Sequence, residues 1–136
     1  MMGKMQRDRG AAGERELAAK LKLYTGLDIR RRCRQHPGDS DVLGVDGWAI
    51  ECKRTATLSL DPWWKQTIDQ CREGESPVLM YRKDRHGWRV RCHLVDILER
   101  LHLRGWCEPG IVVDMDLDDW CVAVGLWNPR HEAAET

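Results

Sequence analysis

The stretch from Ala49 to Lys53 holds the two side chains best suited to chemistry. If the stretch is a β-strand, successive side chains point to opposite faces, so Ile50 and Cys52 share one face and Glu51 and Lys53 the other. The carboxylate and the amine would then lie about 7 Å apart along the strand. An isolated Glu-x-Lys is typical of a solvent-facing pair. Its meaning therefore depends on which other polar residues the fold brings beside it.

The register of a predicted hairpin decides whether Asp41 faces Glu51. A two-residue loop, Asp46-Gly47, would pair Val42 with Glu51 and turn Asp41 to the other face. A three-residue loop, Val45-Asp46-Gly47, would set Asp41 directly opposite Glu51. We predict the three-residue loop, because it gathers the polar side chains on one face of the sheet and the apolar ones on the other.

A third acid, Glu14, belongs to a predicted helix from Gly10 to Tyr24. Leu17 and Leu21 recur at helical spacing, and Glu14 projects into the middle of the same apolar stripe. A carboxylate on a buried face is costly unless it has a partner. Glu14 is therefore expected either to reach water at the start of the helix or to be directed at a cation.

Together these residues could hydrolyse a phosphodiester bond. Asp41 and Glu51 could chelate a hard divalent cation, with the main-chain carbonyl of Cys52 as a third oxygen and Glu14 completing the shell. Lys53 is placed to orient or deprotonate a water that attacks phosphorus, and to offset the developing charge. Mg²⁺, with Mn²⁺ as the expected substitute, would polarise the phosphate and lower the pKa of bound water.

The rest of the chain predicts an α/β protein. Hydrophobic periodicity and turn residues indicate a mixed central β-sheet flanked by helices, followed by a C-terminal strand-helix appendage. At 136 residues the chain is expected to form a single domain, residues 1–136, with residues 1–9 and 128–136 flexible. The further predicted elements are strands Leu27 to Cys33, Pro77 to Arg82, Trp88 to Cys92 and Ile111 to Met115, and helices Asp61 to Glu73, Leu94 to Leu103 and Leu117 to Trp127.

The zero net charge of the chain conceals a gradient. Residues 1–35 contain ten Lys or Arg against four Asp or Glu, whereas residues 94–136 contain three against nine. The basic first part includes four arginines that could contact DNA phosphates: Arg30, Arg31, Arg32 and Arg34. The predicted partner surface for a polyanion therefore lies near the start of the chain.

Cysteine spacing and hydropathy exclude several classes of protein. The six cysteines are scattered without a C-x-x-C, which argues for reduced thiols and against both a zinc knuckle and a disulfide framework. No run of about 18 apolar residues appears, and the N-terminus lacks the apolar core of a signal peptide. A cytoplasmic protein of a bacterium or of a phage-infected cell, without a membrane partner, is expected.

Four motifs in order resemble those of the PD-(D/E)xK nuclease superfamily. They are G-E-R-E-L at 13–17, S-D-V-L at 40–43, A-I-E-C-K at 49–53 and a glutamine, Gln66, in the following helix. Within the superfamily the chain is most similar to Holliday junction resolvases of archaeal and phage type, over about residues 10–90. The resemblance implies a restriction-endonuclease-like core and a homodimer acting on branched DNA. It also implies an active site of Glu14, Asp41, Glu51 and Lys53, with Gln66 as an auxiliary residue.

The chain departs from that pattern in ways that leave alternatives open. Ser40 precedes Asp41 where a proline is usual, and Asp39 shares the face of Asp41, so either aspartate could be the ligand; we favour Asp41 because it adjoins the strand. A nuclease of the same fold with another DNA substrate, as in repair or restriction, is one alternative. A non-catalytic DNA-binding or scaffold protein is another, disfavoured because all four active-site residue types are present.

The seven tryptophans divide into three predicted groups. Trp48, Trp64 and Trp88 fall on apolar faces and are expected in the core. Trp63, next to Gln66 on the second helix, is a candidate for stacking on a base or sugar of the DNA. The three tryptophans of the acidic C-terminal part are expected at a subunit interface: Trp106, Trp120 and Trp127.

Overall fold

A computed structural model describes residues 2–32, 41–103, 105 and 107–130. Within these residues the chain forms four helices and one six-stranded sheet. The elements in order are α1 (Met2–Thr25), β1 (Arg30–Arg31), β2 (Val42–Leu43), β3 (Trp48–Thr55), α2 (Leu60–Gln70), β4 (Ser76–Lys83), β5 (Arg89–His93), α3 (Leu94–Arg100), β6 (Val112–Asp116) and α4 (Leu117–Ala123).

The six strands lie in sequence order across the sheet, from β1 at one edge to β6 at the other. β3 and β4 run parallel, and the remaining neighbours run antiparallel. A parallel pair needs a crossover, and α2 supplies it by connecting β3 to β4. The predicted α/β fold with a mixed sheet and flanking helices is confirmed.

Helices cover both faces of the sheet. Leu17 and Leu21 of α1 have no exposed surface and join a core cluster that also takes side chains from α3 and α4. The opposite face buries Leu79 and Tyr81 of β4 beneath Trp64 of α2. In the parallel register Leu79 and Tyr81 pair with residues 51 and 53 of β3. The predicted Glu-x-Lys pair therefore lies on the face that α2 covers.

The tryptophan predictions divide accordingly. Trp48, Trp64 and Trp88 are buried, as expected. Trp120 has no exposed surface and meets the ring of Trp48 edge-on at 5.1 Å, so its predicted place at a subunit interface is wrong. Trp127 is half-buried and packs on Tyr24 of α1, 5.3 Å between ring centroids, within the same chain. Trp106 lies outside the described residues.

Several element boundaries differ from the predictions. Helix α1 begins at Met2 and not at Gly10, because the basic leader is rich in Lys, Arg, Gln and Met, which favour helices. Helix α2 begins at Leu60, so Asp61 lies in its first turn and Ser59 takes the cap position. Helix α4 ends at Ala123, since Gly125 adopts a left-handed φ of 76° and reverses the chain.

The remaining predicted segments are mostly shortened at their ends. The strand expected over 27–33 is described as β1, Arg30–Arg31, and its last residue lies outside the described part of the chain. The helix expected to reach Leu103 ends at Arg100, because His102 turns left-handed with φ 59°. Among the described helices, none combines the length and apolar character that crossing a membrane requires.

Gly13 marks a close approach of α1 to the sheet. A Cβ added there would lie 2.9 Å from the Cβ of Arg54 in β3, whereas one added at Gly10 would have no atom within 4 Å. Gly13→Ala is expected to lower the free energy of unfolding by about 1–3 kcal/mol, because helix or strand must move. Gly10→Ala should raise it by about 0.5–1 kcal/mol through helix propensity. Urea unfolding measures both; a stabilised Gly13→Ala protein would contradict the close packing.

Candidate active site

The hairpin between β2 and β3 has the register that brings two acids together. Val42 pairs with Ile50, which places Asp41 opposite Glu51. The amide of Asp41 donates to the carbonyl of Ile50 at 3.0 Å, just outside the paired part of β2. Gly47 takes a left-handed φ of 82°, and Trp48 N–H donates to the Val45 carbonyl at 3.3 Å, so the turn itself is Asp46-Gly47 and the extra residue is taken up before it, at Gly44 with φ 113°. The prediction of this register is confirmed.

Asp41 and Glu51 form a buried carboxyl pair. Asp41 is 8% exposed and Glu51 7%. One Asp41 oxygen, Oδ2, accepts the main-chain N–H of Cys52 at 2.9 Å. Burial, followed by the negative charge of Asp41, raises the pKa of Glu51 from 4.5 to about 8. Burial and the neighbouring carboxylate therefore both favour the protonated form of Glu51.

Lys53 lies on the same face as Glu51, two residues further along β3. Its Nζ is 3.5 Å from Glu51 Oε1, and its side chain is 26% exposed. This amine lowers the pKa of Glu51, but less than burial and Asp41 raise it. Lys53 therefore reaches the carboxyl pair from a position that water can also enter.

Glu14 is paired with Arg31 of β1. Its Oε2 accepts Arg31 Nε at 2.7 Å, and the Glu14 side chain is 12% exposed. The pKa of the Cys52 thiol is raised well above its ordinary value by burial, and further by the charges of Asp41, Glu14 and Glu51. All three acids thus act on one buried thiol. Of the two alternatives predicted for Glu14, the structure shows the second: its carboxylate is directed at a cation, the guanidinium group of Arg31.

The predicted DNA-contacting arginines have different surroundings. Arg30 is exposed and bonded to Asp28 at 2.8 Å. Arg31 donates to Glu14 with its side chain 28% exposed, while the amide of Arg32 donates to the carbonyl of Asp41 at 3.1 Å. β1 therefore borders the acids directly. Arg34 and the alternative ligand Asp39 lie outside the described residues.

Gln66 and Trp63 occupy α2, which covers the face that carries Glu51 and Lys53. Both side chains are half-buried. Trp63 packs against the cluster of Trp64 with Leu79 and Tyr81 of β4, so its ring is partly engaged within the fold. Their roles as an auxiliary residue and a stacking platform stay predictions.

Sequence reasoning missed the contact between Arg31 and Glu14. The sequence feature that could have indicated this contact is the basic residue Arg31 in the strand that follows the helix of Glu14, and it was interpreted only as a DNA contact. Arg31 donates to Glu14 across 17 positions of sequence, which links β1 to α1.

The buried carboxyl pair fits a divalent cation. Hard cations such as Mg²⁺ take oxygen ligands, and Asp41 and Glu51 offer buried carboxylates at facing positions of the hairpin. Elsewhere, Asp116, Asp118 and Asp119 have carboxylate oxygens within 4.8 Å of one another, but all three are exposed. Exposed acids are common without an ion. The hairpin pair is thus the better candidate.

A mixed sheet with an acid on one hairpin strand and Glu-x-Lys on the next is the arrangement of PD-(D/E)xK nucleases. The chain belongs to the family described as "Phage putative PDDEXK endonuclease", whose model matches residues 5–105. It is thus an endonuclease of a family that uses divalent metal ions, and the predicted superfamily is confirmed.

The fold is similar to that of Hjc, a Holliday junction resolvase from the archaeal hyperthermophile Archaeoglobus fulgidus. The two share 20% sequence identity, the match covers 93% of this chain and 96% of Hjc, and the TM-score is 0.48. No curated protein matches the chain.

Proposed function

We propose that the chain is a magnesium-dependent endodeoxyribonuclease that cleaves branched DNA as a homodimer, in the manner of a Holliday junction resolvase. The observation that carries the nuclease chemistry is the buried pair Asp41 and Glu51 with Lys53 Nζ 3.5 Å from Glu51. Branched DNA and the homodimer rest on the ordered motifs that resemble those of the resolvases.

The residues that would hold Mg²⁺ are Asp41, Glu51 and the main-chain carbonyl of Cys52, with Glu14 completing the shell. When bound, Mg²⁺ supplies Lewis acidity toward the phosphate and lowers the pKa of water. Arg31 fixes the orientation of the Glu14 carboxylate through its 2.7 Å hydrogen bond. The low exposure of the two hairpin acids keeps bulk water from competing for them.

Hydrolysis forms a phosphorus–oxygen bond to water and breaks one to a sugar oxygen, which takes up a proton. Lys53 orients the attacking water and offsets the charge that develops on the phosphate oxygens. Gln66, on the helix above, assists in positioning that water through its amide. Trp63 stacks on a base at the branch point, and four arginines bind along the phosphate backbone: Arg30, Arg31, Arg32 and Arg34.

The substrate is tested with a labelled four-way junction and a linear duplex of the same arm sequences. With Mg²⁺ the wild-type protein is expected to cleave the junction at least about tenfold faster than the duplex, and EDTA should abolish both reactions. Equal rates on the two substrates would favour a general nuclease. Binding without cleavage under either Mg²⁺ or Mn²⁺ would favour the non-catalytic alternative. Sedimentation equilibrium of the free protein tests the homodimer.

A further inference from the structure

Glu16, two residues after Glu14 in α1, is bonded to three groups of the sheet. Its Oε2 accepts Arg54 Nη1 at 3.2 Å, and its Oε1 accepts Trp88 Nε1 at 2.9 Å as well as Arg82 Nη1. Arg54 belongs to β3 and Arg82 to β4, while Trp88 directly precedes β5. One carboxylate therefore ties α1 to three successive segments of the sheet.

The sheet places two positive side chains next to each other below Glu16. Arg54 and Arg82 are register partners in the parallel pair of β3 and β4, so two guanidinium groups lie side by side on one face. Like charges on neighbouring strands destabilise a sheet. Asp84 lies 3.5 Å from Arg54, whereas Glu16 bonds to both arginines and offsets their repulsion, which gives its carboxylate a defined place over the boundary between the two strands.

Glu14 and Glu16 make their contacts on two different flanks of α1. At about 100° per residue they lie about 200° apart around the helix axis. Gly13 and Leu17, both buried, face the sheet between them. Glu14 contacts Arg31 of the edge strand β1, whereas Glu16 contacts β3 and β4 in the middle of the sheet. A roll of the helix about its axis would break one set of contacts or the other.

We infer that Glu16 is a positioning residue that holds α1 at one rotation and so presents Glu14 to the carboxyl pair of Asp41 and Glu51. The inference rests on the proposed function, which assigns Glu14 to the metal. Glu16 acts through Glu14, since its own hydrogen bonds are with the face of the sheet opposite Lys53.

The test replaces Glu16 with glutamine, which keeps an oxygen for Trp88 but removes the negative charge between the arginines. We expect Mn²⁺, titrated calorimetrically as a stand-in for Mg²⁺, to bind about tenfold more weakly, as when other supports of metal ligands are lost. The Arg31 Nε–H signal in the NMR spectrum should shift, because its bond to Glu14 is disturbed. Asp69→Asn, which removes an exposed ion pair with Lys65 at 3.4 Å, is the matched control and should change neither quantity.

A double-mutant comparison separates positioning from general stabilisation. If Glu16 acts through Glu14, the double variant Glu14→Gln, Glu16→Gln should bind Mn²⁺ as weakly as Glu14→Gln alone. The inference would be overturned if the two substitutions weakened Mn²⁺ binding independently, so that their fold-changes multiplied in the double variant. An unchanged Arg31 signal in Glu16→Gln would also overturn it. Arg82→Gln, which removes one partner of Glu16, serves if Glu16→Gln does not fold, and should produce the same changes at smaller size. Absence of cleavage by the wild-type protein would reject the proposed function, whereas the Arg31 signal would still decide the inference.

Discussion

Replacing Lys53 with alanine is expected to lower the cleavage rate by about 10²- to 10⁴-fold while leaving the affinity for DNA nearly unchanged. The amine lies 3.5 Å from Glu51 Oε1 and is partly exposed, so it can contact both the carboxyl pair and an entering water. Its loss removes an interaction made with the reacting groups and not with the DNA backbone at large. Single-turnover cleavage at saturating enzyme, beside a binding titration in EDTA, measures the two quantities separately.

Two further variants sharpen this prediction. Lys83→Ala removes an exposed lysine that pairs with Thr55 on the same face of the sheet, and its rate should match that of the wild-type protein. Lys53→Arg keeps the positive charge but has a side chain that does not give up its proton. Partial recovery in Lys53→Arg would assign Lys53 to charge stabilisation, whereas no recovery would assign it to proton transfer. A Lys53→Ala protein that keeps a tenth of the rate would contradict either role.

The register of the hairpin was predictable because the turn residues and the need to bury one apolar face of the sheet favour the same pairing. Gly47 supplies the left-handed residue of the turn, and only the observed register keeps Val42 and Ile50 together on the apolar face. Both acids of the pair follow from this register without any knowledge of the remaining fold. The same agreement of spacing and burial places Leu17 and Leu21 of α1 in the core.

The partners of charged side chains were not predictable in the same way. Arg31 and Glu14 are 17 positions apart, and Glu16 and Trp88 are 72 apart, so their meeting depends on how α1 crosses the sheet. Sequence periodicity places Glu16 off the apolar stripe, which is typical of a solvated residue. The prediction that Trp120 lies at a subunit interface was wrong for a related reason. The acidic residues around it in the sequence do not reveal that its ring packs in the core beside Trp48.

The apparent affinity for a divalent cation is expected to rise with pH up to about pH 8. In the folded protein the pKa of Glu51 is raised to about 8, first by burial and then by Asp41, so at lower pH a proton occupies the carboxyl group that the ion needs. Between about pH 6 and 8 the apparent Kd for Mn²⁺ should tighten by up to about tenfold per pH unit. Calorimetric titration at several pH values measures it, and a Kd independent of pH would contradict the shift.

The stability of the metal-free protein should change in the opposite direction. Between pH 4.5 and about 8 the folded state keeps a proton on Glu51 that the unfolded state has lost, so the unfolded state binds fewer protons. The contribution of Glu51 to the free energy of unfolding therefore falls as pH rises through this window, by at most about 1.4 kcal/mol per unit. Urea unfolding in EDTA should show this fall in the wild-type protein relative to Glu51→Gln, which lacks the titrating group. In Asp41→Asn the fall should be smaller, because removing the neighbouring charge brings the pKa of Glu51 closer to its ordinary value.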